Sequence, residues 1–291
     1  MLTVLITEAG GPAAVGLIKT LKSSSLDIRI VATDMDPLAS GLHMADLSVL
    51  TPHASQAEYT DKLLDLIKKY EVDLIIPTGE HDLYKLSKIQ DKMKNLGCKI
   101  FVSDPDTVEI CQNKLKFYEH LKKTDIPLPL TYSKNMILKP KRGSGSRGIK
   151  IVELEDRIIQ EYLPGKEYTV DVFCDMSSNI INHVIRERVA TKAGISTKST
   201  VLFDKSISLI VGQLVHHLSI KGPACVQLRN NDKGSPHVIE CNPRLGGGTY
   251  ISTLAGVNYA DIYLNMLTNK PNKTQKPKEI TVTRYFEEIV L

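Results

Sequence analysis

The sequence contains no tryptophan, and aromatic residues make up only 5% of its 291 positions. It also lacks any apolar run near the ~20 residues that a transmembrane helix needs, so no membrane span is expected. Residues 1–7, MLTVLIT, are apolar without a basic leader, and they predict a β-strand rather than a signal peptide. We therefore expect a cytoplasmic protein without a membrane partner.

Cysteine usage and charge exclude further classes of protein. The five cysteines are an odd number without a C-x-x-C pair, which argues against a disulfide framework or a zinc site and favours a reducing cytosol. The net charge is only +4 and the basic residues are scattered, so no nucleic-acid partner is expected. Hydrophobic residues make up 42% of the chain, which has the length for two or three compact lobes.

Two common nucleotide fingerprints are also missing. The chain has no G-x-x-x-x-G-K-[ST] loop, and the segment EAGGPA at 8–13 lacks the spacing G-x-G-x-x-G. A tight strand-to-helix turn explains Gly10 and Gly11 equally well. A Rossmann-type oxidoreductase is therefore disfavoured.

The order of predicted elements suggests two kinds of architecture. Strand-like and helix-like segments alternate over residues 1–110, which predicts a parallel sheet with helices on both faces. After a predicted helix at 113–123, strands with short turns dominate up to residue 189 and predict an antiparallel lobe. A helix at 204–220 precedes two strands that pair across the turn NNDKG at 230–234.

The most informative segment is VIECNPRLGGG at 238–248. In a strand, residues i and i+2 share a face, so Glu240 and Asn242 point the same way, whereas Cys241 points into the core. Two adjacent oxygen donors suit Mg²⁺ with phosphate oxygens as further ligands, and Arg244 would add a fixed positive charge. A solvated strand end followed by a turn is the simpler alternative.

Two further segments have the chemistry of a nucleotide site. The segment ILKPKRGSGSRGIKI at 137–151 places glycines, serines and cations between apolar runs, and such a loop can surround phosphates. The segment IIQEYLPGKEYTVDV at 158–172 turns at Pro164–Gly165 between strands and could offer backbone groups to a purine and a carboxylate to a ribose. Each segment is also compatible with an ordinary hairpin.

These three segments, in this order and spacing, resemble the ATP-grasp superfamily. The resemblance covers essentially the whole chain, and is greatest to single-unit relatives of the carbamoyl-phosphate synthase large subunit, a group rich in carboxylate–amine ligases. It implies an α/β and α+β architecture with a Rossmann-like pre-ATP-grasp domain over 1–110 and an ATP-grasp domain over 111–291. The latter would contain a small central lobe at about 130–163 and a C-terminal α+β lobe at about 164–291.

The resemblance also implies a role for each matching residue. Lys114 and Lys139 match the two basic residues that contact the ATP phosphates and adenine. The loop that closes over the phosphates is matched by Gly143, Ser144, Gly145, Ser146 and Gly148. Glu161, Tyr162 and Leu163 match the adenine-binding hinge, and Glu167 matches the ribose-binding acid. The implied metal ligands for Mg²⁺ or Mn²⁺ are Gln227, Glu240 and Asn242. Arg244, with Lys139, would act on the transferred phosphoryl group, while Arg186 and Arg188 match basic residues near the acyl-phosphate site.

The central lobe departs from the family pattern. Only residues 132–135 and 153–157 separate its strands from their neighbours, and neither gap can hold the helices that relatives carry there. We therefore expect a reduced central lobe.

The function that follows is an ATP-dependent carboxylate–amine ligase that forms an acyl phosphate and releases ADP and phosphate. An acyl- or carbamoyl-phosphate-forming kinase, or an ATP-binding module with little turnover, remain alternatives. The expected partners are a small carboxylate and an amine, and a homodimer is left open. Glu80, His81 and Asp82 follow a predicted strand at the carboxyl edge of the sheet, where ligands gather, although a helix N-terminal acid cluster explains them as well.

Overall fold

The structure is a computed structural model that describes residues 1–142 and 148–291. Within these ranges, five parallel strands form the first sheet, in the order β3-β2-β1-β4-β5. Their bounds are β1 Leu2–Ile6, β2 Ile28–Asp34, β3 Leu47–Leu50, β4 Leu74–Ile76 and β5 Lys99–Ile100. The helices that accompany them are α1 Pro12–Lys22, α2 Ser40–Met44, α3 Tyr59–Tyr70, α4 Leu83–Lys88 and α5 Gln90–Asn95.

This parallel sheet is buried on both faces, as its apolar strands require. Val4 and Ile6 face one hydrophobic cluster, which α1 covers with Leu17 and Leu21. The alternate residue Leu5 faces a second cluster with residues of α3 and α4. The α/β architecture predicted for the N-terminal half is therefore confirmed.

Two helices connect the first sheet to the rest of the chain: α6 Pro105–Gln112 and α7 Lys114–Leu121. Asn113 lies between them and its side chain accepts hydrogen bonds from the backbone N–H groups of Leu115 and Lys116. Such a cap satisfies donors that a helix N-terminus otherwise leaves unpaired. It fixes the start of α7, and with it the position of Lys114.

The central lobe consists of two small antiparallel sheets. They are formed by β6 Thr131–Tyr132, β7 Met136–Leu138, β8 Lys150–Val152 and β9 Ile159–Gln160, with β6 paired to β9 and β7 to β8. Among the described residues of this lobe no helix is present. Both apolar strands of the second pair are therefore open to solvent, and Ile137 and Ile151 are 57% and 68% exposed. The expectation of a reduced lobe is confirmed for these residues.

The C-terminal lobe is built on an antiparallel sheet in the order β14-β13-β10-β11-β12-β15. Its strands are β10 Glu167–Cys174, β11 Ile180–Lys192, β12 Ile195–Leu202, β13 Gly222–Asn230, β14 Pro236–Asn242 and β15 Thr281–Thr283, and its helices are α8 Lys205–Leu218, α9 Tyr250–Leu254 and α10 Tyr259–Leu267. One face packs on α8 and contains Cys241. The core position predicted for Cys241 is therefore confirmed, with 0% exposure.

The two sheets share a hydrophobic core rather than meeting across solvent. Val4 and Ile6 of the first sheet belong to the same buried cluster as Phe173 of β10 and Tyr259 of α10. No helix of the described chain is long and apolar enough to cross a lipid bilayer.

Several elements differ from the sequence-based expectation. The predictions missed β3, which has only four residues, and β12, which reads STKST through its centre and so lacks an apolar run. The last strand, β15, is short because only Thr281–Thr283 pair with β12.

A glycine at the start of β13 sets how closely the two sheets approach. Gly222 has a φ of +68°, and a Cβ there would overlap the backbone carbonyl of Phe101. We expect Gly222→Ala to destabilise the protein by about 1–3 kcal/mol or more, because it combines a left-handed backbone with a steric overlap. Chemical denaturation would measure this change.

Gly212, inside α8, provides the matched control. It has a helical backbone, and the space around its Cβ position is open. Gly212→Ala should therefore stabilise the protein by about 0.5–1 kcal/mol. Equal effects of the two substitutions would contradict the proposed role of Gly222.

Candidate functional site

The pairing of β13 with β14 brings together the residues predicted to bind metal. Gln227 lies directly opposite Glu240, and the register shifts immediately beyond, between Gln227 and Leu228. Such a bulge inserts an extra residue on one strand and re-aims side chains, which is common beside functional sites. The predicted proximity of Gln227 to Glu240 is confirmed, although the bulge itself was not predicted.

The carboxylate of Glu240 is the centre of a cluster from three elements. Its Oε1 accepts hydrogen bonds from Nε2 of Gln227 at 2.6 Å and from Nδ2 of Asn242 at 3.1 Å. Its Oε2 lies 3.6 Å from Nζ of Lys114, at the start of α7. The predicted shared face of Glu240 and Asn242 is therefore present, and Lys114 joins it from the helix that Asn113 caps.

This cluster has the donor chemistry of a magnesium site. Carboxylate and amide oxygens suit hard cations, and Mg²⁺ in nucleotide sites commonly takes one or two carboxylates plus phosphate oxygens. Across residues 1–142 and 148–291, no three His, Cys, Asp or Glu side chains gather into a metal-binding group. Glu240 and Asn242 thus fit a cation that shares its coordination with phosphates better than one held by protein alone.

Gln227 is linked in turn to a buried arginine. Its Oε1 accepts a hydrogen bond from Nη1 of Arg188 at 2.9 Å, so a cation at Gln227 would compete with this guanidinium. The same Nη1 lies 2.8 Å from Oε1 of Glu167, and Nη2 donates to the carbonyl of Gly194 at 2.5 Å. The proposed ribose-binding acid, Arg188 and the Glu240 cluster therefore form one continuous polar network.

Arg186 lies elsewhere, although it is only two residues from Arg188. Its side chain is 2% exposed, and Nε and Nη2 donate to both oxygens of Asp171 at 2.7 and 2.9 Å. The family resemblance implies a place near the acyl-phosphate site for Arg186. In this structure it could contact a substrate only by leaving a buried ion pair, so the geometry weighs against that assignment.

Arg244 follows the Glu240 cluster and reaches back to the first sheet. Its Nη2 forms an ion pair with Glu80, and its Nη1 donates to the carbonyl of Leu245 at 3.0 Å. Its Nε is buried without a hydrogen-bond partner among the described residues. The guanidinium predicted to meet a phosphoryl group thus stands at the junction of the two sheets.

The predicted adenine hinge begins directly after β9. The backbone N–H of Glu161 donates to the carbonyl of Leu130 at 2.7 Å, while its carboxylate accepts from the N–H of Leu130 at 3.1 Å. Tyr162 is 76% exposed, with Arg229 lying 5.4 Å from its ring centre, whereas Leu163 is buried. These contacts fix the hinge against the central lobe.

The other predicted phosphate-binding residues lie at the ends of β7 and β8. Lys139 follows β7 and is exposed. Gly148 has a φ of +77°, and a Cβ there would lie 2.8 Å from Cγ of Pro140, so the two ends of the intervening loop are in contact. The predictions for Gly143, Ser144, Gly145 and Ser146 lie outside the described residues.

A cavity of about 260 Å³ lies at the carboxyl edge of the first sheet, where the sequence places Glu80, His81 and Asp82 and predicts that ligands gather, although Glu8 and Asp34 were not predicted to line it. Its lining includes Glu8, Asp34, Tyr59 and His81. Glu8 adopts a φ of +49°, unusual for a residue with a side chain, and its carboxylate accepts from the backbone N–H groups of His81 and Asp82. The sequence signal was the acid that interrupts the glycine-rich turn, which we had interpreted only as a departure from a fingerprint.

A buried acid lies directly behind this cavity. Asp82 is 0% exposed, its Oδ2 accepts a hydrogen bond from the Tyr59 hydroxyl at 2.8 Å, and its Oδ1 has no partner among the described residues. The pKa of the Asp82 carboxyl is raised to about 7, mainly by burial and to a smaller extent by the negative charge of Glu8.

Two family models match this chain. A model described as "ATP-grasp in the biosynthetic pathway with Ter operon" matches residues 153–289, and a model of the N-terminal domain of PylC-like proteins matches residues 4–101. The carbamoyl phosphate synthase large chain of Clostridium botulinum is 24% identical over 293 residues, covering 86% of this chain and 26% of that protein. The corresponding protein of Clostridium beijerinckii is 23% identical with the same coverage. The chain therefore spans about a quarter of the length of the curated relatives it matches.

Solved structures share the fold at low sequence identity. An L-amino acid ligase from Bacillus licheniformis has a TM-score of 0.66 and 17% identity, covering 92% of this chain and 74% of that one. N5-carboxyaminoimidazole ribonucleotide synthetase from Thermotoga maritima has a TM-score of 0.64 and 20% identity, with 95% and 78% coverage. The ATP-grasp fold expected from the sequence is therefore confirmed.

The raised pKa of Asp82 predicts a pH-dependent stability. The unfolded carboxyl ionises near pH 4, whereas the folded one keeps its proton up to about pH 7, so the wild type loses stability as the pH rises between these values. Asparagine carries no charge at any pH. Asp82→Asn should therefore gain stability relative to the wild type from pH 5 to pH 8, on the order of 1–3 kcal/mol.

Chemical denaturation at pH 5 and pH 8 would measure the free energy of unfolding of the wild type and of Asp82→Asn. The Asp61→Asn variant, at an exposed position, is the control for removing a carboxylate from the surface. A gain for Asp82→Asn that shrinks with rising pH would contradict the assignment.

Proposed function

We propose that the chain is an ATP-dependent carboxylate–amine ligase, because an ATP-grasp model matches residues 153–289 and a PylC-like N-terminal model matches residues 4–101. In the first step a substrate carboxylate oxygen attacks the γ-phosphorus of ATP, ADP leaves, and an acyl phosphate forms. In the second step the nitrogen of the neutral amine attacks the acyl carbon, the C–N bond forms as the C–O bond to phosphate breaks, and the nitrogen gives one proton to the departing phosphate or to solvent. ATP is consumed, and ADP and phosphate are the by-products.

The observation that carries this proposal is the convergence on Glu240. Gln227, Asn242 and Lys114 reach one carboxylate from two strands and a helix, and Arg244 stands two residues beyond Asn242. A surface cluster without a ligand has no need to gather two amides, a lysine and an acid at a strand bulge. Together they offer oxygen ligands for a cation and positive charge for phosphates.

The nucleotide would lie between the central lobe and the C-terminal sheet. Leu163 and Glu161 of the hinge have, respectively, a backbone N–H and a carbonyl without a backbone partner among the described residues, which are the groups an adenine edge requires. Glu167 would accept from the ribose hydroxyls, and Lys139 and Lys114 would meet the phosphates. Gly148 allows the backbone to turn tightly at the base of the phosphate loop.

Glu240 and Asn242, with Gln227 as a further oxygen donor, would hold Mg²⁺ or Mn²⁺. The bound cation would neutralise charge on the phosphate oxygens. Lys114 now pairs with Glu240, and Arg244 with Glu80, so both cations are held beside the site before a nucleotide enters. Phosphoryl transfer depends mainly on such positioning and charge neutralisation.

No protein nucleophile is required, and the cysteines do not supply one. All five thiols are buried, and burial raises the pKa of Cys98, Cys174 and Cys225 to about 12. Thiols are reactive as thiolates, and these would remain protonated at neutral pH. This favours a mechanism in which the substrates supply both attacking atoms.

The exposed β7–β8 pair keeps one alternative open, an ATP-binding module with little turnover. A two-stranded sheet without a covering helix is marginally stable by itself, and a poorly closed lobe would slow transfer. Phosphate release with ATP, Mg²⁺ and a panel of carboxylates and amines would separate the possibilities. Release that requires both substrates indicates a ligase, release with a carboxylate alone indicates a kinase, and nucleotide binding without release indicates a module.

Lys139→Ala tests the nucleotide position. Loss of a hydrogen-bonded charge should weaken ATP binding by about 1.5–3 kcal/mol, measured by calorimetry. Lys134→Ala, at the opposite end of β7, is the matched control and should leave the affinity nearly unchanged. Equal affinity of wild type and Lys139→Ala would overturn this assignment.

Glu240→Gln tests the metal and phosphoryl positions. The substitution keeps the side-chain shape but removes the charge that would hold the cation, so phosphate release should be abolished through kcat while the fold persists. Glu119→Gln removes the same charge from an ion pair on the outer part of α7 and serves as the control. Wild-type turnover by Glu240→Gln at saturating Mg²⁺ would refute the metal assignment.

A further inference from the structure

The cavity at the edge of the first sheet lies outside the Glu240 cluster but is joined to it through one residue. Gly79 and His81 line the cavity, and Glu80 between them forms the ion pair with Arg244. Building on the proposed ligase function, we propose that this cavity binds the amine substrate as it arrives from water, with its protonated ammonium group recognised by Glu8 and Asp34. The ammonium group gives one proton to solvent before its nitrogen attacks the acyl carbon.

The charges in the cavity favour a cation. Glu8 and Asp34 are its two carboxylates, and none of its lining residues is a lysine or an arginine. Asp82 lies behind Glu8 but does not line the cavity, and its raised pKa keeps it largely protonated below about pH 7, so Glu8 and Asp34 supply the negative charge. An aliphatic amine in water is protonated at neutral pH, since its pKa lies near 10. The negative charge of the cavity therefore attracts the amine in its protonated form.

The usual anion site at this position is closed by the protein itself. The start of α1, after a parallel strand, is where backbone N–H groups bind phosphates in many α/β proteins. Here the N–H of Gly10 donates to Oδ2 of Asp34 at 2.8 Å, and the N–H of Gly11 donates to the carbonyl of Glu8 at 3.1 Å. Asp34 thus takes the place of a phosphate, which disfavours a phosphorylated or carboxylate-bearing ligand end.

Glu8 is held in place by contacts that leave acceptor capacity free. Its Oε1 accepts from the N–H groups of His81 and Asp82 at 3.2 and 3.3 Å, and its Oε2 lies 3.3 Å from Nδ1 of His81. A side chain at Gly79 would overlap this carboxylate, so the glycine is needed for Glu8 to reach its position.

The remaining acceptor capacity matches an ammonium group. A carboxylate offers about four acceptor positions and an ammonium group has three donors. Oδ1 and Oδ2 of Asp34 each accept one protein hydrogen bond, from the N–H groups of Asp36 and Gly10, so each oxygen keeps a free position. Oε2 of Glu8 keeps another, and Thr78 and Tyr59 provide further polar surface in the lining.

The test uses the full chain without nucleotide, so that it does not depend on ATP turnover. Binding of n-butylamine, 1,5-diaminopentane and L-lysine at millimolar concentrations would be measured by calorimetry and saturation-transfer NMR. The corresponding alcohols and n-butyrate are the comparison ligands. The protein variants are Asp34→Asn and Glu8→Gln, with Asp36→Asn as the matched control, because Asp36 is exposed beside the same strand end but does not line the cavity.

We expect the amines to bind at least about tenfold more tightly than the alcohols or butyrate, and Asp34→Asn and Glu8→Gln each to weaken amine binding by about tenfold or more. Asp36→Asn should bind like the wild type. Circular-dichroism melts would confirm that each variant is folded. If one of the two substitutions prevents folding, the other still tests the proposal.

Three results would overturn the proposal: no detectable binding of any amine, equal binding of the alcohols, or amine affinity unchanged in both folded variants. A parallel titration with a fluorescent ATP analogue separates this inference from the proposed function. If the protein binds amines but not the nucleotide, the proposed ligase function is wrong and the assignment of the cavity stands. If it binds the nucleotide but not amines, the assignment of the cavity is wrong and the proposed ligase function stands.

Discussion

A buried ion pair between Arg186 and Asp171 connects the parts of this protein that carry the candidate chemistry. Both oxygens of Asp171 accept from the guanidinium, and they also accept from the hydroxyls of Thr249 at 3.1 Å and Ser252 at 2.6 Å. The carbonyl of Asp171 accepts from the hydroxyl of Tyr259 at 2.8 Å. Charges removed from water are tolerated when they are paired and hydrogen-bonded, and here both Asp171 oxygens pair with Nε and Nη2 of Arg186. The segment that follows Arg244 is thereby tied to the centre of the antiparallel sheet.

The same ion pair explains the glycines after Arg244. A Cβ on Gly248 would lie 2.6 Å from Nη1 of Arg186, so the chain can pass over the guanidinium only without a side chain. From the sequence, this glycine run predicts only a turn after the strand. Its structural reason is close packing against a buried charge, and the neighbouring Gly247 approaches Pro12 of α1 in a similar way. The loop therefore joins the two sheets.

Much of the fold and part of the site could be predicted from local patterns. The alternation of strand-like and helix-like segments predicted the parallel sheet, and the two-residue period of a strand placed Glu240 and Asn242 on one face. The same reasoning could not separate Arg186 from Arg188. Residues i and i+2 of one strand share a face, so the pattern treats the two arginines alike. Only the neighbouring strands show that Arg186 pairs with buried Asp171, whereas Arg188 contacts Glu167 and Gln227. At the edge cavity the sequence located His81 but not the two carboxylates, for a related reason. Glu8 and Asp34 are 26 residues apart in sequence and meet only where two parallel strands end.

The Asp34 carboxylate at the start of α1 has a consequence for how binding preference could change. In this fold the strand, the glycine turn and the helix would by themselves attract a negatively charged group. One side chain from the adjacent strand occupies that position and reverses the preference. The sign of an acceptable ligand would then be decided by two side chains at this edge, Asp34 and Glu8, rather than by the architecture, and related chains could exchange one class of metabolite for another while the backbone stays the same.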